Sequence, residues 1–124
     1  MSLEIYVQGQ ILNVSENDNN ISVYGILHYL FLYNECCDTD VVIRLYSLKG
    51  YLNLYGDDLE IVKQNEDEVK IKGNLRRIKV FDRSGTLLHD FDVQSCTIVV
   101  TEMREKEEID VSKSDEDIEI VEEE

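Results

Sequence analysis

VVIRLYSLKGYLNLYGDDLEIVKQNEDEVKIKGNLRRIKVF, residues 41–81, is the stretch whose reading decides the fold. Apolar residues recur in it at every second position. Leu52 and Leu54 alternate with Tyr51, Asn53 and Tyr55; Val69 and Ile71 alternate with Lys70 and Lys72; Ile78 and Val80 alternate with Arg77 and Lys79. That two-residue period is the mark of a strand with one buried face. Val41, Ile43, Leu45 and Ser47 read as one face of a further strand. Lys49-Gly50, Gly56-Asp57-Asp58, the charged run Lys63–Glu68 and Gly73 punctuate the stretch and read as turns, with positive φ expected at Gly56 and Gly73. Leu75 is out of phase with Ile78, which predicts a bulge near Arg76.

The same pattern extends both ways. Upstream, Leu3–Val7 alternates, Ile11–Val14 follows Gly9, and Ser15–Asn20 is a polar loop. Ile21–Tyr24 is a short strand ended by Gly25, and Ile26–Tyr33 is assigned to a strand by its leucine and aromatic content. Asn34–Asp40 is a loop. Downstream, Arg83-Ser84-Gly85 is a hairpin loop between Leu75–Phe81 and Thr86–Phe91, and Ser95–Thr101 completes the sheet. Many short strands between turn signals predict an all-β domain over residues 1–101: one small antiparallel sandwich, roll or barrel-like meander. Residues 102–124 read as a disordered acidic tail with too little apolar surface to offset its ordering entropy.

Charge narrows the function classes. The 124 residues carry 27 acids against 12 bases, and residues 101–124 alone hold 12 of those acids with 3 bases. A chain of net charge −15 repels nucleic-acid phosphates and anionic membranes, so nucleic acid is not an expected partner. No apolar run is long enough to span a bilayer, and Met1–Gly9 lacks the pattern of a signal peptide. The expected setting is intracellular: cytoplasmic, or nuclear in a eukaryote. Three cysteines, with Cys36 and Cys37 adjacent and Cys96 remote, make neither a disulfide framework nor a zinc-ligand spacing.

No motif for catalysis stands out. His28 and His89 have no nucleophile–base pattern around them, and no phosphate-cradling glycine loop occurs. Asp57, Asp58 and Glu60 read as a solvated turn rather than a cation site. The chain is therefore read as a non-enzyme, with no catalytic, metal or cofactor site. Two binding features remain. Lys70 and Lys72 share a face on one strand, with Arg77 and Lys79 expected beside them on the next, forming a basic ridge for a phosphate backbone or an acidic partner. In the tail, Ile118-Glu119-Ile120-Val121 between acidic flanks has the form of a strand that adds to a partner's sheet edge. It looks like a SUMO-interacting motif.

Ile43, Leu45, Ser47 and Gly50, then Leu52, Leu54, Gly56, Asp58 and Leu59, then Val69, Ile71, Gly73, Leu75 and Ile78 resemble the YabP/YqfC-like sporulation proteins. Ile21, Val23, Gly25 and Ile26, with Tyr33, Asn34 and Glu35, extend the resemblance upstream, so that it covers residues 21–81. It implies a non-enzymatic interaction or scaffold protein of the developing endospore, reaching a membrane only through a membrane-embedded partner. The alternatives are a eukaryotic adaptor whose tail recruits a partner through Ile118–Val121, and an acidic mimic of nucleic acid. A homo-oligomer is left open.

Overall fold

Strands dominate the computed structural model, which describes residues 3–34, 39–94, 97–99 and 108–110. Four long strands carry the fold: β1 (Leu3–Glu16), β2 (Asn20–Asn34), β3 (Thr39–Gln64) and β4 (Glu68–Asp82). β5 (Leu87–Gln94), β6 (Thr97–Val99) and β7 (Glu108–Asp110) are shorter. β1 pairs with β2, β2 with β3 and β3 with β4, all antiparallel, and β4 returns to pair with β1. The ring of pairings closes, so the domain is all-β and barrel-like. β5 and β6 extend the sheet from the second half of β4, and β7 adds in parallel to the first half of β3.

The expected turns at Gly25, Gly50, Gly56 and Gly73 are corrected by the structure: the chain passes through each of them as strand. Closing a ring with four strands makes each strand serve two neighbourhoods. Residues 69–72 of β4 lie between β1 and β3, while residues 77–81 lie between β3 and β5. Strands that change neighbours must bend, and bending brings backbones together. A Cβ on Gly56 would stand 2.2 Å from the Asn74 carbonyl oxygen, and one on Gly50 would stand 2.1 Å from that of Phe81. Glycine is used at Gly56 for clearance; positive φ among the glycines occurs only at Gly73 (152°) and Gly85 (91°).

Asparagine and aspartate make the true turns. Asn17 N–H donates to the Asn20 carbonyl at 2.8 Å between β1 and β2. Asn65 Oδ1 accepts from the amides of Asp67 and Glu68 at 2.8 and 2.9 Å between β3 and β4. The expected hairpin loop at 83–85 is present. There Asp82 Oδ1 accepts from the Ser84 amide, the Ser84 hydroxyl and the Thr86 amide at 2.9, 2.7 and 3.0 Å. Burial alone raises the Asp82 carboxyl. The Ser84 hydroxyl and the amides of Thr86, Ser84 and Gly85 together outweigh it and hold the group below its ordinary value.

The interior is aliphatic. Ile5, Ile43, Leu45, Leu54, Ile71 and Ile78 are among the fully buried side chains, and Phe91 is the one aromatic residue of the core cluster among the described residues. Ile71 is flanked in register by Ile5 and Ile61, so inward residues of three strands stack in one layer. Each such side chain contributes about 1.5–3 kcal/mol by leaving water.

Three irregularities re-aim side chains. The expected bulge lies at Arg76, which is skipped between the Tyr55–Arg77 and Gly56–Leu75 pairs, so Arg76 and Arg77 both point outward. His28 is skipped against both β1 and β3. Opposite it, β3 skips residues 45–47, where Tyr46 and Ser47 have φ of 53° and 56°. Ser47 therefore leaves the face of Val41, Ile43 and Leu45 and is exposed, correcting the expected alternation.

Candidate functional site

All seven tyrosines of the chain lie outside the core, at positions that alternate with buried aliphatic residues. Ile5, Val7, Val23, Leu45, Leu52 and Leu54 point inward, which turns the neighbouring tyrosines to the two outer faces of the folded sheet.

On the first face, three rows cross β4, β1, β2 and β3 in register. They read Glu68–Gln8–Tyr29–Arg44, Lys70–Tyr6–Phe31–Val42 and, across β4, β1 and β2, Lys72–Glu4–Tyr33. Tyr29 stacks on Phe31 with ring centroids 5.7 Å apart, and the Lys70 ammonium lies 5.3 Å from the Tyr6 ring centre. Gln8 Nε2 donates to Glu68 Oε2 at 2.9 Å, and the Tyr6 hydroxyl donates to Glu4 Oε1 at 3.0 Å.

On the second face, three rows cross β2, β3, β4 and β5. They read Tyr24–Tyr51–Phe81–Leu87, Ser22–Asn53–Lys79–Asp90 and Asn20–Tyr55–Arg77–Asp92. The Tyr24 and Tyr51 rings stand 4.6 Å apart, and Tyr51 and Leu87 are exposed. The Ser22 hydroxyl donates to Asn53 Oδ1 at 2.7 Å, and Asn53 Nδ2 donates to the Tyr55 hydroxyl at 3.2 Å, which orients the polar row. Beside it opens a groove of about 490 Å³ lined by Tyr55, Arg76, Arg77, Lys79, Asp92 and Val93.

The basic ridge is rearranged relative to the sequence reading. Lys70, Lys72, Arg77 and Lys79 stand on one strand, β4, not on two adjacent ones. The change of neighbours along β4 then divides them between the two faces. Lys72 stands opposite Glu4 and Glu60 in strand register, and Lys79 lies 5.5 Å from the Tyr55 ring centre. Arg77 Nε donates to Asp90 Oδ1 at 2.7 Å, and its Nη1 stands 3.3 Å from Asp92. The hydrogen bond to Asp90, then the charges of Asp90 and Asp92, raise the Arg77 guanidinium above its ordinary value against a small opposing effect of burial. Asp57, expected in a solvated turn, is a residue of β3 and pairs with Arg76. Of the ridge residues, Arg77 is paired with acids of β5, while Lys70 and Lys79 lie over tyrosine rings.

Ile118, Glu119, Ile120 and Val121 lie outside the described residues, as do Cys36, Cys37 and Cys96. Within the stretch assigned to the tail, Glu108–Asp110 form β7, in register with Val42–Arg44. No group of three His, Cys, Asp or Glu side chains is placed to hold a metal ion among the described residues. No helix there is long and apolar enough to cross a membrane.

Two features escaped the sequence reading. The outward tyrosines were legible in the alternation, since each adjoins an aliphatic residue of opposite facing. The contact of the Ser47 hydroxyl with His28 Nδ1 at 3.1 Å was not, because it joins two bulges 19 residues apart. No family model, curated protein or solved structure matches the chain. The fold and surfaces define a closed antiparallel β-domain with an aliphatic interior and aromatic residues on both outer faces.

Proposed function

We propose that the chain is a non-enzymatic interaction or scaffold module that binds protein partners through its outer sheet faces. The observation that carries this reading is the segregation of side chains, with every tyrosine outward and an aliphatic core within. Tyrosine presents a large, stiff, amphipathic surface and is enriched where protein interfaces concentrate their binding energy. The second face joins such an aromatic row to an oriented polar row and a cation-lined groove, the anatomy of an apolar centre with a polar rim. Resemblance to the sporulation family supports a place in the endospore beside a membrane-embedded partner. The strand pairing of β7 favours a second reading, an adaptor whose tail recruits a partner by adding a strand.

Affinity capture by the full chain from extracts of its source cells tests the first reading. Wild type is compared with Tyr24→Ser/Tyr51→Ser and with Tyr29→Ser/Phe31→Ser, each checked for an unchanged circular dichroism spectrum. At least one face variant is expected to lose a captured protein by about tenfold or more. Identical captured sets for all three chains would refute it.

A further inference from the structure

The bulge at Arg76 changes what β4 presents on the second face. In an unbroken strand Arg77 and Lys79 face outward and Arg76 inward. Skipping Arg76 between the Tyr55–Arg77 and Gly56–Leu75 pairs turns it outward as well, so three cations crowd four residues of one strand. They line the groove together with Tyr55 and Val93, against one carboxylate, Asp92. In a chain of net charge −15 this is a local reversal of sign. Existing ion pairs leave the cations usable. Arg76 with Asp57, and Arg77 with Asp90 and Asp92, are solvent-accessible pairs, which are weak, and a guanidinium has five N–H donors to share among carboxylates. Val93 is buried and Tyr55 half-buried, so they form the floor of the groove, while exposed Arg76 and Arg77 form its rim.

One segment of the chain matches both floor and rim. Fourteen residues of the sequence follow Asp110, with seven acids and one base among them. Within these, Asp117-Ile118-Glu119-Ile120 alternates acid and isoleucine, so in extended form the isoleucines share one side and the acids the other. Isoleucines set on the Tyr55–Val93 floor leave the acids at the rim, within reach of the long arginine and lysine side chains. Eight residues separate Asp110, the end of β7, from Ile118. Extended, they span about 26 Å, roughly twice the ~13 Å radius of gyration of a hundred-residue domain. The tether is thus long enough to cross the domain, and it holds the segment at an effective concentration on the order of millimolar.

We propose that the groove of the second face is a binding site for acidic segments with alternating isoleucines, and that its resident ligand is residues 115–121 of the same chain, docked in cis. The proposal rests on the reading of the second face as a binding surface and gives that surface its ligand class. A protein partner then carries such a segment and displaces the chain's own, so its apparent affinity is lowered by the fraction of grooves already filled. The attraction is between opposite charges at a solvent-accessible rim, so salt weakens it. Tyr24 and Tyr51 do not line the groove, and a Tyr24→Ser/Tyr51→Ser chain keeps the contact.

The test titrates a peptide of residues 112–124 into the isotope-labelled full chain and follows backbone amide shifts. Two full-length chains are compared, wild type and Ile118→Ser/Ile120→Ser, whose own segment no longer competes. Before any peptide is added, their amides should differ at Tyr55, Arg77, Lys79 and Val93. The peptide should shift the same amides and bind the variant about threefold or more tighter than wild type. Adding Arg76→Glu/Lys79→Glu to the variant should weaken the peptide about tenfold or more, with Arg76→Gln/Lys79→Gln in its place should the reversed pair lose the circular dichroism spectrum of the fold. Raising salt from about 0.05 to about 0.5 M should loosen the contact. Absence of binding to the variant, shifts centred on Val42–Arg44 instead, affinity indifferent to Arg76 and Lys79, or strengthening with salt overturns the proposal. Wild-type groove shifts that fade on dilution by about tenfold overturn docking in cis and assign the groove to a second copy's segment. Failure of the peptide beside a protein captured by wild type and lost by Tyr24→Ser/Tyr51→Ser removes the ligand class while the binding role of the face stands.

Discussion

Replacing Gly73 by valine removes two things at once. The Gly73 φ of 152° lies where side chains are rarely found, and a Cβ there meets the Asp58 carbonyl oxygen at 2.7 Å and the Leu59 Cα at 2.8 Å. The backbone conformation costs a non-glycine residue about 1–3 kcal/mol. Forcing the Leu59 segment aside costs about 1–3 kcal/mol more. Together these put Gly73→Val at roughly 2–6 kcal/mol, a large share of the ~5–15 kcal/mol that holds a domain folded. Two sister variants separate the contributions. Gly85 has φ of 91° and nothing within 4 Å of the added Cβ, so Gly85→Ala should cost only the conformational part, about 1–2 kcal/mol. Gly56 lacks positive φ but faces the Asn74 carbonyl oxygen, so Gly56→Ala should cost the steric part alone. Lys72→Val, at an exposed neighbour, should stay within about 0.5 kcal/mol. Urea unfolding reads these directly: with a slope of about 1–3 kcal/mol per molar, Gly73→Val moves the midpoint by roughly 0.7 M or more. Equal midpoints for Gly73→Val and Lys72→Val, or a Gly85→Ala loss as large as that of Gly73→Val, would refute the reasoning.

Ile71→Ala, in the fully buried layer with Ile5, should cost about 2–5 kcal/mol in the same urea assay. Asp82 is held below its ordinary value of 3.8, so its stabilising effect is complete above that pH and disappears as the pH falls below it; unfolding of Asp82→Asn should show less pH dependence there than wild type. Truncation after Thr101 should change stability by no more than ~1 kcal/mol while hydrogen exchange quickens at Val42–Arg44, the residues paired with β7. A collapse of the urea midpoint on truncation would show instead that the segment after Thr101 is integral to the fold.

Alternation by itself determined the class of fold and the facing of most side chains. A residue between two inward aliphatic neighbours has to point outward in a strand, so Tyr6 beside Ile5 and Val7 was legible without coordinates, as was the bulge that brings Arg76 and Arg77 to one surface. The Asn-rich and Asp-containing loops were legible too, because those side chains satisfy turn amides locally. What Gly25, Gly50, Gly56 and Gly73 do was decided only by tertiary structure. A glycine in a turn and a glycine under a neighbouring carbonyl look alike in sequence, and the carbonyl over Gly56 belongs to Asn74, on another strand. The same holds for the charges of β4. Lys72 stands opposite Glu4 and Glu60 only when the ring closes β4 against β1 and β3, and Arg77 meets Asp90 and Asp92 only when the hairpin brings β5 alongside. Local periodicity sets which way a residue faces; what it faces is set by pairings between distant parts of the chain.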